Sequence, residues 1–171
     1  MPQGIIIGSD VLTGLNGQTS WVTVSLIVTE LQPGIYTADA SGSGPGIIAN
    51  AVTGVLINAS NPAHASDFLV IYCTGLGDVR DPYGQFGPST GSTTPSDRLF
   101  RTTAVVQATI GGMSAPVSFA GLTPTFAGLY QVNVQVPAGV GPGEAVSVVI
   151  TTIDPRPGAT AISNSVTIVV Q

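Results

Sequence analysis

The chain is expected to fold as an all-β, antiparallel, immunoglobulin-like β-sandwich with one long Gly/Pro/Ser/Thr loop. Three observations carry that expectation. Apolar and polar residues alternate at period two in segment after segment. Each such segment is bounded by Gly, Pro, Asn, Asp or Ser. No amphipathic stretch of 3.6 period reaches three turns, so neither helical layers nor alternating α/β units are available.

The clearest element is 130–136, where Tyr130, Val132, Val134 and Val136 share one face and Gln131, Asn133 and Gln135 the other. Residues 21–29 form a long β-branched segment with Val22, Val24, Leu26 and Val28 on one side. Residues 68–74, 103–110, 115–119, 145–153 and 162–170 repeat the pattern, and 5–7 and 46–57 add shorter strands or a hairpin. Gly111-Gly112 supplies the two positive-φ positions of a tight hairpin loop between Ile110 and Met113. Asp154-Pro155-Arg156-Pro157-Gly158 separates the last two strands, because proline cannot donate to a ladder. Residues 1–30 read as an N-terminal strand segment, either donated to a neighbour or the remnant of an upstream sandwich, and 31–171 as the sandwich domain.

Composition narrows the chemistry. Only 8% of the 171 residues are charged, against about a quarter in an ordinary domain. Four basic residues, all arginine (Arg80, Arg98, Arg101, Arg156), face nine acids for a net charge of −5, too few cations to neutralise a row of phosphates. Nucleic acid is therefore not an expected partner. The absence of lysine removes Schiff-base chemistry and the P-loop. The single Cys73 can form neither an internal disulfide nor a multi-cysteine zinc site. No apolar run approaches the ~18 residues of a membrane span. Met1-Pro2-Gln3 lacks the basic residues that open a secretion leader, so export would depend on a leader outside these residues.

Several short blocks occur in a familiar order: Gln32-Pro33-Gly34-Ile35-Tyr36-Thr37, Ser60-Asn61-Pro62-Ala63, Tyr72-Cys73-Thr74-Gly75-Leu76-Gly77, Ile110-Gly111-Gly112, Phe119-Ala120-Gly121-Leu122 and, most specifically, Gly128-Leu129-Tyr130-Gln131-Val132-Asn133-Val134-Gln135-Val136-Pro137. Over roughly residues 30–171 the chain resembles the uncharacterised Solibacter-type C-terminal domain of secreted acidobacterial proteins. The resemblance implies an exported, all-β, non-enzymatic module, and it carries over no catalytic or binding residues. The chain departs from the pattern in its short upstream segment and in a longer, more proline-rich 154–160.

Catalytic motifs are weak. Gly87-Pro88-Ser89-Thr90-Gly91 matches G-x-S-x-G, but that motif works only on a strained strand-to-helix turn, and no strand or helix is expected beside Ser89. His64 lies in a turn before a strand and would be the sole imidazole base. Cys73 lies in an apolar strand, where a lone thiol behaves as a small hydrophobe. Asn58-Ala59-Ser60 fits a glycosylation sequon. An enzyme is not expected, and no cofactor is required.

Residues 78–98 break the strand rhythm. A loop this long is either functional or mobile, and Tyr83 and Phe86 are its only large apolar groups, expected to pin it. Asp78 and Asp81, with Asp97 across the loop, could offer oxygen ligands to a structural calcium ion, although Arg80 lies between the first two; the alternatives are loop solvation or an Asp–Arg pair. Asp78, Asp81, Tyr83, Phe86 and Asp97 are the expected ligand-contacting residues of a binding module.

The chain ends carry a different expectation. Ile5, Ile6 and Ile7, and the 166–170 run with Val166, Ile168 and Val170, are apolar and β-branched, and free edges of that kind recruit another chain when no lysine discourages it. The resulting picture is a non-enzymatic extracellular or cell-surface structural protein. It would self-assemble by β-strand exchange into a head-to-tail homopolymer, a filament or matrix, the alternative for 5–7 being that it packs on its own sandwich. The alternative is a C-terminal binding, adhesion or surface-anchoring module of a larger secreted protein.

Overall fold

The computed structural model describes residues 4–13, 19–27, 31–155 and 159–171. Arg156, Pro157 and Gly158 of the expected final turn lie outside the described residues. Among the described residues fourteen strands follow in chain order: β1 Gly4–Thr13, β2 Thr19–Ile27, β3 Gly34–Ile35, β4 Ile48–Asn50, β5 Phe68–Thr74, β6 Val79–Arg80, β7 Arg101–Thr102, β8 Val105–Ile110, β9 Met113–Ala115, β10 Val117–Leu122, β11 Tyr130–Gln135, β12 Gly143–Ile153, β13 Thr160–Ile162 and β14 Val166–Val170. Among the described residues there is no helix, and so none long and apolar enough to cross a membrane.

The chain divides into two compact units, Met1–Glu30 and Leu31–Gln171. In the first, β1 and β2 pair antiparallel as a two-stranded sheet, with a register shift between Ile6 and Ser9.

The second unit is a sandwich-like pair of antiparallel sheets. One has the order β3-β5-β11-β10-β7-β6, with β4 alongside β5 as well; the other has the order β13-β12-β8-β9, with β14 also on β12. The alternation read from sequence fills the space between them. Leu69, Ile71 and Cys73 of β5 and Val132 and Val134 of β11 meet Ala108 and Ile110 of β8, Val148 and Ile150 of β12, and Val166, Ile168 and Val170 of β14. Each fully buried Val, Ile or Leu of that set contributes about 1.5–3 kcal/mol relative to exposure.

Local chemistry sets the connections. Gly111 and Gly112 have φ +59° and +76°, the conformation of the tight hairpin that joins β8 to β9. Pro116 then ends β9: the chain leaves β8's sheet and, as β10, pairs with β11 in the other. Gly121 in β10 has no room for a side chain, because a Cβ there would sit 2.0 Å from the Phe100 carbonyl oxygen.

The expected single strand over 162–170 is two strands, β13 and β14, both on β12. Thr151 faces Ile162 while Val148 faces Val166, so one extra residue bulges out between them. Within the bulge the Ser163 hydroxyl accepts from the Ile150 amide at 2.9 Å, and the Ser163 amide bonds the Ile150 carbonyl. Asn164 is thereby turned toward β3: its Oδ1 accepts from the Ile35 amide at 2.7 Å, and its Nδ2 donates to the Ile35 carbonyl at 3.0 Å and the Gly42 carbonyl at 2.8 Å.

Candidate functional site

The 78–98 segment is braced, and by different groups from those expected. Asp81, 6% exposed, accepts through Oδ1 from the Tyr83 amide at 2.9 Å and the Gln85 amide at 2.8 Å. Its Oδ2 faces Arg98 Nη1 at 3.4 Å, and Asp97 holds the Arg98 Nε at 3.4 Å. Hydrogen bonding and charge from Asp97, and then from Asp81, raise the Arg98 pKa further. Thr94, buried, ties the far side of the loop to Phe126 through both its amide and its hydroxyl. Neither aromatic pins the loop by burial, Tyr83 being 85% and Phe86 66% exposed; Phe86 is held through its bridge to Arg80 and the guanidinium over its ring. The reason is that a short carboxylate buried at the base satisfies turn amides that an aromatic ring cannot.

The acids are not assembled into a cation site. Both Asp81 oxygens are engaged, and among the described residues no group of three Asp, Glu, His or Cys side chains converges on one point. Asp78 serves through its backbone carbonyl, which accepts from the Thr103 amide. Ser89 lies in a turn closed by the Ser92 amide, flanked by neither strand nor helix. His64 Nδ1 stands 3.5 Å from Asp67 Oδ2, with the imidazole 60% exposed. Cys73 is fully buried, and desolvation pushes its thiol up to about 12, so it stays protonated. Asn58 sits in an exposed turn in which its Oδ1 accepts from the Ser60 and Asn61 amides.

The chain ends require a correction. Val166, Ile168 and Val170 do not line a free edge: their side chains are core, and both sides of β14 are occupied. β12 pairs with one side. On the other, Gly44, Gly46 and Ala63 exchange parallel bonds with Thr167, Val169 and Gln171. Period-two alternation identifies which face of a strand is apolar but not whether its edges are taken. Ile5 and Ile6 pair within the chain, opposite Leu26 and Ser25 of β2, and Ile7 lies in the register shift.

Two surface depressions are present in the second unit. One of about 380 Å³ is lined by Asn50, Asn61, Ser60, His64 and Asp67 among others. The other, about 180 Å³, lies where β8 and β10 diverge and is lined by Arg101, Ser118, Phe119, Val106 and Val117. Beside it is a feature that sequence reasoning missed. β6 and β7 set Arg80 directly opposite Arg101. The Arg80 guanidinium lies 3.9 Å from the Phe86 ring centroid and that of Arg101 lies 4.8 Å from the Phe119 centroid. These strands are two residues long, too short for periodicity to signal, and Arg80 and Arg101 are twenty-one positions apart in the sequence.

Among known proteins the chain matches no family model, no curated protein and no solved structure.

Proposed function

We propose that the chain is a non-enzymatic, extracellular β-sandwich module whose N-terminal β-ribbon is an assembly element, pairing with further β-structure in a second copy of the chain. The observation that carries this reading is the two-stranded β1–β2 sheet. A two-stranded ribbon is at best marginally stable alone, and an added third strand satisfies the amides and carbonyls that the edge of such a sheet carries. The low charge favours the same end: Ser, Thr, Asn, Gln and Gly surfaces lose little side-chain entropy when a subunit contact forms. Since β14 is closed, the exchange runs through β1–β2 and not through the C-terminal strand.

The immunoglobulin-like reading of the second unit is supported by its connectivity. Taking β3/β4, β5, β8, β9, β10, β11, β12 and β13/β14 in order as A, B, C, C′, D, E, F and G, one sheet runs A-B-E-D and the other C′-C-F-G. The blocks similar to the Solibacter-type domain fall mainly on β5, the β8–β9 turn, β10 and β11, the strands that build the core. Their placement bears on the fold and not on a binding site. A second reading, a binding module, is favoured by the exposed Tyr83 and Phe86 on a loop held by Asp81.

Sedimentation and negative-stain microscopy of the intact chain beside residues 31–171 and beside Ile6→Pro test the assembly. Ile6 lies in β1 opposite Ser25, so proline there removes a backbone donor from the ribbon without shortening the chain. Oligomers or filaments of the intact chain only are expected; monodisperse monomers in all three would overturn it.

A further inference from the structure

Arg80 and Arg101 are directly opposed in an antiparallel pair. Residues so placed project from one face with Cβ atoms about 5 Å apart, where like charges weaken the pairing. Two of only four cations in a chain of net charge −5 are spent on this arrangement. Neither is neutralised: Arg98 has Asp81 and Asp97, whereas among the described residues no ion pair reaches Arg80 or Arg101. Departures from such local rules are expected at functional sites, and here neither arginine has an anionic partner to account for the opposition.

The environment defines what such a site takes. Each guanidinium is laid on an aromatic face and gives one bond to a main-chain carbonyl, Arg80 Nη1 to Gly84 at 2.7 Å and Arg101 Nη1 to Ser118 at 3.4 Å. Of the five N–H donors on each group, most remain without a protein acceptor. Stacking holds each planar fork in one orientation, the geometry that receives a carboxylate through two parallel bonds. Phe86 bridges to Arg80 on the side away from β7, and Phe119 belongs to β10 on the side of Arg101 away from β6. The two guanidinia therefore reach in opposite directions and form two separate stations, suited to an extended ligand with repeated anionic groups. Tyr83 and Phe86 expose flat apolar rings at the same edge. A chain of sugar acids offers both a carboxylate and a flat C–H face at each residue. An acidic peptide offers the carboxylate without the regular flat face, and a nucleic acid would need a longer row of cations.

We propose that Arg80 and Arg101 form a binding site for an acidic polysaccharide, with carboxylates on the two guanidinia and sugar rings against Tyr83 and Phe86. The site lies wholly within the second unit and does not depend on self-assembly.

Calorimetric titration of the full chain with polygalacturonate, dextran, dextran sulfate and polyglutamate tests it. Polygalacturonate is expected to bind, more weakly as salt rises, and dextran not to bind. Arg80→Gln and Arg101→Gln should each weaken binding about tenfold. Adding Glu144→Gln, at an exposed position, to Arg80→Gln restores the net charge of −5 and should not restore binding. The melting temperature of either arginine variant should change little, since only an exposed main-chain bond and a ring contact are lost while the guanidinia point apart. Tyr83→Ala, which removes a ring 85% exposed, should weaken binding with the fold intact. Failure of polygalacturonate to bind, equal binding by all variants, polyglutamate binding as tightly, or binding of dextran sulfate alone would each overturn the proposal. So would a large fall in melting temperature in both arginine variants, which would make the pair structural.

Discussion

Replacing Asn164 by alanine probes how the edge of one sheet is held to the edge of the other. The side chain makes three hydrogen bonds to main chain, two with the half-buried Ile35 peptide groups and one, more exposed, with the Gly42 carbonyl. Bonds of this kind contribute about 1 kcal/mol each when shielded and less when exposed, which puts the loss at roughly 2.5 kcal/mol. For a unit of this size that is a fall in melting temperature of about 5–10 °C. Asn164→Asp should cost at least as much, because a carboxylate would face two carbonyl oxygens, and acid pH should relieve part of the cost by protonating it. The sole tryptophan, Trp21, lies in β2 outside this unit, so urea unfolding is best followed by far-UV circular dichroism. Hydrogen exchange supplies the local readout, since the Ile35 amide should lose protection before its neighbours in β5. A loss under 1 kcal/mol, or an aspartate variant as stable as the parent, would refute the reasoning.

Two further outcomes follow from the burial of single groups. With the Cys73 thiol at about 12 in the fold against 9.0 unperturbed, its contribution to stability is complete below pH 9 and is lost as pH rises toward 12. Alkaline unfolding curves should show that loss in the parent and less of it in Cys73→Ala, and a thiol reagent should label the parent only on unfolding. Asp81→Ala should leave the sandwich folded but strip protection from the Tyr83 and Gln85 amides at a cost of about 2 kcal/mol. Asp81→Asn, which keeps one acceptor oxygen, should fall between the two, and unchanged exchange at both amides would show that the loop is held elsewhere.

Legibility in the sequence followed the range of the interactions. The face of 130–136 that enters the core, the 68–74 strand and the Gly111-Gly112 hairpin were all readable, because side-chain alternation and positive φ are properties of a few consecutive residues. The candidate site was readable in part. The unusual stretch at 78–98 and the aromatic and acidic character of its residues could be seen, but not that Asp81 is buried while Tyr83 and Phe86 are exposed. Periodicity is silent in a segment with almost no regular strand, and the brace joins Asp81 to Arg98 across seventeen positions.

The sequence by itself determined the all-β class, the order of the main strands, the apolar face of each and the poverty of charge. Only the tertiary structure decided which edges are closed and which side chains meet. The 166–170 strand has no free edge because residues 44–46 and 63 close its outer side in parallel, and its apolar face is core because the other sheet packs on it. One bulged residue between β13 and β14 aims Asn164 at Ile35 across 129 positions. Arg80 and Arg101 oppose each other only because a loop returns the chain to its own edge. Each is a contact between distant segments, set by sheet pairing and strand register, and the alternation of any one strand is the same whichever partner lies beside it.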